Sequence, residues 1–192
     1  MLLHTRMMRQ CKECFDSTIF FRFFVPSIMS LRKENKLFLL CLSNGNADGL
    51  GRTREKELEK SCEFLGFAEA PTIIDDPDLQ DGMDKKWGKD LIAEHINRYL
   101  TAKMRLGKES EIQILVTFDE YGVSYHPNHI CVNQGVCKVI SDQQFSLELF
   151  TLKTVHFLRK YISYADITNC EPDLFHLFTY SLYEPAHALA LH

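Results

Sequence analysis

Three runs of this chain are apolar almost from end to end: KLFLLCLS (Lys36 to Ser43), PTIID (Pro71 to Asp75) and IQILVTFD (Ile112 to Asp119). A strand with one wet face alternates apolar and polar residues. A short continuous apolar run instead fits a strand covered on both faces, as in a parallel sheet. Between the runs the period changes. TREKELEKSCEFLG puts Leu58, Cys62 and Leu65 on one helical face and charge on the other, with Gly66 placed to stop the helix. GKDLIAEHINRYLTAKM lines up Leu91, Ile92, His95, Ile96, Tyr99 and Leu100 in the same way. After the third run Pro127 suits a first helical turn, and Ile130, Val136, Val139 and Ile140 supply the apolar positions. Strand alternating with helix predicts an α/β fold, a parallel sheet with flanking helices and right-handed crossovers. LELFTLKTV and DLFHLFTYSLY read as further strands.

The bulk properties narrow the class. A length of 192 residues with 45% hydrophobic and 25% charged residues fits one domain with a useful core, and no repeat or low-complexity linker divides it. The net charge of −4 and scattered Lys and Arg give no basic face, which excludes nucleic acid as a partner. Seven cysteines is an odd count, and Cys41 and Cys62 sit in core-like surroundings, so reduced thiols are expected. Only Cys11 and Cys14 have the spacing of a metal or redox pair, and no second pair follows at zinc-finger spacing. The run TIFFRFFVPSIMSL is interrupted by Arg22 and Pro26, so no transmembrane segment or signal peptide is expected.

In a parallel sheet, ligands collect beyond the carboxyl ends of the strands. Three polar loops fall there: NGNADGLGRTR, DDPDLQDGMD and DEYGVSYHPNH. In the last, His126 would stand at the helix start and His129 one turn along, so both imidazoles could face one centre. Helix capping and surface polarity form the alternative reading of that spacing. Asp119, ending the strand, could orient a histidine. Arg54 and Glu57 could bind a phosphate or a sugar hydroxyl, or form a surface ion pair. The first loop matches neither a P-loop nor a dinucleotide fingerprint. The acidic loop of Asp75, Asp76, Asp78, Asp81 and Asp84 lacks the EF-hand pattern, and Asp75 and Asp76 are candidate site walls.

Taken together and in order, LLCLSNGNADGLGRTREKELEKSCEFLG, IIDDPDLQDGMDKKW and ILVTFDEYGVSYHPNHI resemble the N-acetylglucosaminyl-phosphatidylinositol de-N-acetylases, zinc-dependent deacetylases of GlcNAc. The resemblance runs from about Phe23 onward. It implies a Rossmann-like fold and a zinc-dependent amidase-type hydrolase. The reaction would remove acetate from GlcNAc-phosphatidylinositol in the second step of GPI-anchor biosynthesis. It implies that His129 ligates zinc, that His126 stabilises the oxyanion, and that Arg54 and Asp119 contact substrate. It also implies a membrane surface as partner and the cytosolic face of the endoplasmic reticulum membrane as location.

The family's other zinc ligands and its general base lie in an Ala-His-Pro-Asp-Asp-Glu motif, ahead of a helix start that RFFVPSIMS resembles. Counting back from RFFVPSIMS, the motif's His falls on Asp16, its two Asp on Thr18 and Ile19, and its Glu on Phe20; none matches. Tyr125 stands where the family usually has Gly, a change expected to crowd the pocket. The expectation is a divergent segment over residues 1–22, with the first strand altered or missing, and a single deacetylase-like domain over residues 23–192. Zinc binding is then expected to be weak or absent. The alternative function is a non-catalytic Rossmann-like remnant that binds a partner or a glycolipid head group.

Overall fold

The computed structural model describes residues 17–105 and 114–154. The expected strand DLFHLFTYSLY and the residues Cys11, Cys14 and Asp16 lie outside them. The chain divides between Ile73 and Ile74 into two compact units. Both are built on the same local plan, in which a helix joins two parallel strands.

In the first unit, helix α1 (Ser17–Leu31) precedes strand β1 (Leu40–Cys41), a 3-10 turn (Asn46–Asp48), helix α2 (Gly51–Leu65) and strand β2 (Thr72–Ile73). The two strands pair in parallel, Leu40 opposite Thr72 and Cys41 opposite Ile73. Phe24, Val25, Ile28 and Met29 of α1 are buried, as are Leu58, Cys62 and Leu65, the face expected of α2. Burial of apolar surface on this scale is what holds a short helix against its neighbours. Gly66, at φ 75°, ends α2 as expected. Its N–H reaches the carbonyl of Glu63 and that of Phe67 reaches Cys62, satisfying carbonyls that the last turn leaves open. Burial pushes the Cys62 thiol up to about 12, so this cysteine is an inert core group.

In the second unit, a 3-10 turn (Pro77–Leu79) leads to helix α3 (Lys89–Arg105), strand β3 (Ile114–Phe118), the single turn α4 (Gly122–Tyr125), helix α5 (Pro127–Ser141) and strand β4 (Glu148–Leu152). Strands β3 and β4 are parallel, from Ile114 opposite Glu148 to Phe118 opposite Leu152. Gly135 lets α5 approach α3 closely, because a Cβ there would stand 2.3 Å from Cγ2 of Ile92. Ile92, Ala93, Ile96 and Leu100 of α3 and Cys131, Val136 and Val139 of α5 are buried. Asp76 caps the 3-10 turn by accepting from the N–H of Asp78 at 2.9 Å, and its other oxygen lies 2.9 Å from Nε2 of buried His95. Both bonds favour the ionised carboxylate, with the Asp78 amide the larger influence, and hold Asp76 below its ordinary range.

The α/β class and the parallel pairing agree with the sequence, while β1 and β2 are shorter than the apolar runs that contain them. Leu39 and Leu42 flank β1 and are buried without belonging to it. The two-sided burial expected of the apolar runs is met only in part: β1 and β2 are half-buried, and in β3 Thr117 and Phe118 are buried while Ile114 is exposed. Among the described residues no helix is long and apolar enough to cross a membrane.

Candidate active site around two histidines

Strand β3 ends at Phe118, and Asp119 follows with its side chain buried. Its Oδ1 accepts from the N–H of Tyr121 at 3.1 Å, the N–H of Val123 at 3.3 Å and the hydroxyl of Thr154 at 2.7 Å. Its Oδ2 accepts from the N–H of Thr154. One carboxylate thus ties the loop after β3 to the residues just beyond β4. A buried charge of this kind is stable only when such donors replace its lost water.

The loop so held is strained. Gly122 lies at φ 64°, where a Cβ would come within 2.8 Å of the Cβ of His129. Val123 and Tyr125 also lie at φ 61°, without glycine's freedom. The left-handed region costs a residue with a side chain about 1–2 kcal/mol. Tyr125 is the position where glycine was expected from the resemblance, and its backbone explains why glycine would suit it. Its side chain is 66% exposed, so the ring is not packed in among the buried histidines.

His126 and His129 are both buried, with ring centroids 4.9 Å apart. His126 is the N-cap of α5, and its Nδ1 accepts from the N–H of Asn128 at 3.3 Å. The proton of the neutral ring therefore sits on Nε2. His129 has the opposite arrangement. Its Nδ1–H donates to the carbonyl of Gly122 at 3.0 Å and its ring stacks on Phe118 at 4.0 Å, leaving the Nε2 lone pair as an acceptor. Burial lowers both pKa values, that of His129 to about 4, so His129 is neutral at pH 7. A neutral imidazole oriented through its other nitrogen is the form that binds a metal.

Asp81 and Asn128 complete the buried group. Asn128 Nδ2 donates to Asp81 Oδ1 at 2.8 Å. Asp81 also opposes the lowering of His126 that burial causes. Farther along α5, Asn133 Nδ2 donates to the carbonyl of Phe118 at 2.9 Å and pins the helix to the strand end. Asp81 was one of five acidic residues in its loop, and nothing in its spacing set it apart. Of the two named as site walls, Asp75 is exposed and Asp76 pairs with His95.

Arg54 belongs to the first unit and is 2% exposed. Its guanidinium donates to the carbonyl of Gly45 and pairs with Asp48 at 3.0 Å. It anchors the loop NGNADGL to α2, and Asn46 Oδ1 adds a bond from the N–H of Gly51 at 2.9 Å. Within the second unit the structure brings His126 and His129 together, oriented by Asn128 and Gly122, while Asp119 braces the loop that leads to them; Arg54 has the corresponding loop-holding role within the first.

A family model described as PIG-L, GlcNAc-PI de-N-acetylase, matches residues 19–140. The chain belongs to this family. A "probable N-acetylglucosaminyl-phosphatidylinositol de-N-acetylase" of Schizosaccharomyces pombe is 40% identical over 75% of this chain and 56% of its own length. The N-acetylglucosaminyl-phosphatidylinositol de-N-acetylase of Bos taurus is 36% identical over 76% and 56%, respectively. That of Saccharomyces cerevisiae is 37% identical over 66% and 41%. The chain thus spans little more than half the length of these curated relatives, or less. No solved structure matches it.

Whether these residues fit a catalytic zinc is decided by the donor set. Such a site needs about three protein ligands, and His129 offers one correctly oriented nitrogen. Among the described residues no group of three or more His, Cys, Asp or Glu could hold a metal ion. The described residues alone therefore do not fit a catalytic zinc.

Proposed function

We propose that the histidine pair is the remaining half of a GlcNAc-phosphatidylinositol de-N-acetylase site, acting on the N-acetyl group of that glycolipid. The observation that carries this reading is the opposite hydrogen-bonding role of Nδ1 in the two rings. His126 carries an Nε2–H and His129 an Nε2 lone pair, 4.9 Å apart by ring centroid, within the stretch that matches the family. In hydrolysis of an acetamide, negative charge develops on the carbonyl oxygen, and a buried N–H aimed at it is worth far more than one in water. His126 suits that role while neutral. His129 would be the zinc ligand, and weak zinc binding is expected of the chain because its partner ligands are missing from the sequence motif. Arg54 and Asp119 would serve the substrate indirectly, by holding the two loops in shape. The same reading gives a Rossmann-like fold, a deacetylase-like domain over residues 23–192, a membrane surface as partner, and the cytosolic face of the endoplasmic reticulum as location.

The test follows acetate release from GlcNAc-phosphatidylinositol with zinc present. Restoring a general base typically returns about a hundred- to ten-thousand-fold in rate. A chimaera whose residues 1–22 are replaced by a segment carrying His-Pro-Asp-Asp-Glu should exceed the unmodified chain by at least that factor. His129→Ala should return the chimaera to background. Turnover that survives His129→Ala would remove the histidine pair from the reaction.

A further inference from the structure

Tyr121 and Tyr125 are among the most exposed large hydrophobic residues described, at 51% and 66%, and both lie on the loop that delivers His126. Their ring centroids are 6.0 Å apart and the rings are tilted by 59°. The spacing is held from beneath. The N–H of Tyr125 donates to the carbonyl of Tyr121 at 2.9 Å, and the N–H of Tyr121 is bound by Asp119. Tyr125 keeps its left-handed backbone at φ 61° although its ring gains little burial in return. Strain retained by an exposed residue beside reactive groups points to a role in binding rather than in packing. Consecutive Cα atoms lie about 3.8 Å apart, which sets the Tyr125 backbone at the edge of the site held by His126.

We propose that Tyr121 and Tyr125 form an aromatic lip that stacks the pyranose ring of the substrate. A hexose ring shows C–H groups on one face and hydroxyls around its rim. Tyrosine matches this with an apolar face and a polar tip. The proposal rests on the de-N-acetylase reading given above. A single pair of exposed rings suits one ring-shaped ligand, whereas a membrane contact would need a broader apolar patch.

The experiment titrates the full chain with the soluble head group, GlcNAc linked to inositol phosphate, and follows binding by calorimetry and saturation-transfer NMR. Tyr121→Ala and Tyr125→Ala should each weaken binding by roughly two- to tenfold, the usual worth of an aromatic contact. Tyr125→Ala keeps a Cβ in the left-handed conformation, so ring loss is separated from strain relief, and Tyr125→Phe, which keeps the ring face and loses only the hydroxyl, should weaken binding less than Tyr125→Ala does. In the wild type, saturating the tyrosine ring protons should transfer to the sugar C–H protons, a readout that needs no variant. Unchanged affinity in both alanine variants, with the wild type still binding, would overturn the lip and leave the de-N-acetylase reading standing. A wild type that does not bind the head group would overturn both. Loss of binding to phosphatidylcholine–phosphatidylinositol vesicles with no loss of head-group binding would overturn the lip in favour of a membrane contact.

Discussion

The loops after β1 and β3 solve one problem in two ways. Each leaves a parallel strand, turns sharply and enters a helix, and each is held by one buried charge. In the first unit the charge is Arg54, reaching back from α2 to Gly45 and Asp48. In the second it is Asp119, reaching forward from β3 to Tyr121, Val123 and Thr154. The difference lies in the backbone. Left-handed positions in the first loop fall on Gly45 and Gly49, at φ 68° and 75°. In the second they fall on Gly122, Val123 and Tyr125. One loop is relaxed, and the other stores strain beside the two histidines. Strain of this kind persists only where surrounding bonds over-determine the backbone, and the bonds to Asp119 supply that determination.

The largest expected break comes from Gly122→Ala. The new Cβ would combine a left-handed backbone with a 2.8 Å approach to Cβ of His129 and a 3.1 Å approach to the backbone nitrogen of Ile130. Adding about 1–2 kcal/mol for the backbone to about 1–3 kcal/mol for overpacking predicts a loss of roughly 2–5 kcal/mol. Urea unfolding should register it, and the Nδ1–H proton of His129, slowed in exchange by its bond to Gly122, should exchange faster. A loss below about 1 kcal/mol would mean that the loop is softer than its bonds imply.

The same contrast separates what was legible in the sequence from what was not. Periodicity marked Leu58, Cys62 and Leu65 as the face of α2 and Pro127 as the start of α5, because those patterns are local and repeat every turn. The loop glycines were visible as residues, but the left-handed backbone at Val123 was not, since valine is a poor candidate for it. Asp81 meets Asn128 across a separation of 47 residues, and Asp119 meets Thr154 across 35. Single long-range pairs leave no period to read. Pairing His126 with His129 needed only their spacing, whereas the opposite hydrogen-bonding roles of their Nδ1 atoms depend on Asn128 and Gly122 and required coordinates.

Protonation offers a second, smaller break, confined to the second loop. The pKa of His129 is lowered from 6.5 to about 4, chiefly by burial. Between those values the unfolded chain binds more protons than the folded one, so stability is full above pH 6.5 and is lost as pH falls toward 4. At about 1.4 kcal/mol for each pH unit, His129 can withdraw up to about 3 kcal/mol. Urea midpoints measured from pH 7 to pH 4.5 should therefore fall more steeply for the wild type than for His129→Gln. Equal slopes would show that the ring opens to water before it is protonated.

The smallest effects come from exchanging the two loops' solutions. Gly49 sits at φ 75° with nothing within 4 Å of an added Cβ, so Gly49→Ala tests the left-handed backbone free of any clash. Tyr125 sits at φ 61° with an exposed ring, so Tyr125→Gly removes the same strain while giving up little burial. Gly49→Ala should cost about 1 kcal/mol and Tyr125→Gly should return up to about as much, less glycine's greater chain entropy in the unfolded state. Thermal melts of the two variants should thus shift in opposite directions, downward for Gly49→Ala and upward for Tyr125→Gly. If Tyr125→Gly instead lowers the melting temperature, the tyrosine ring contributes more to folding than its exposure implies, and the second loop is then braced by its aromatic pair as well as by Asp119.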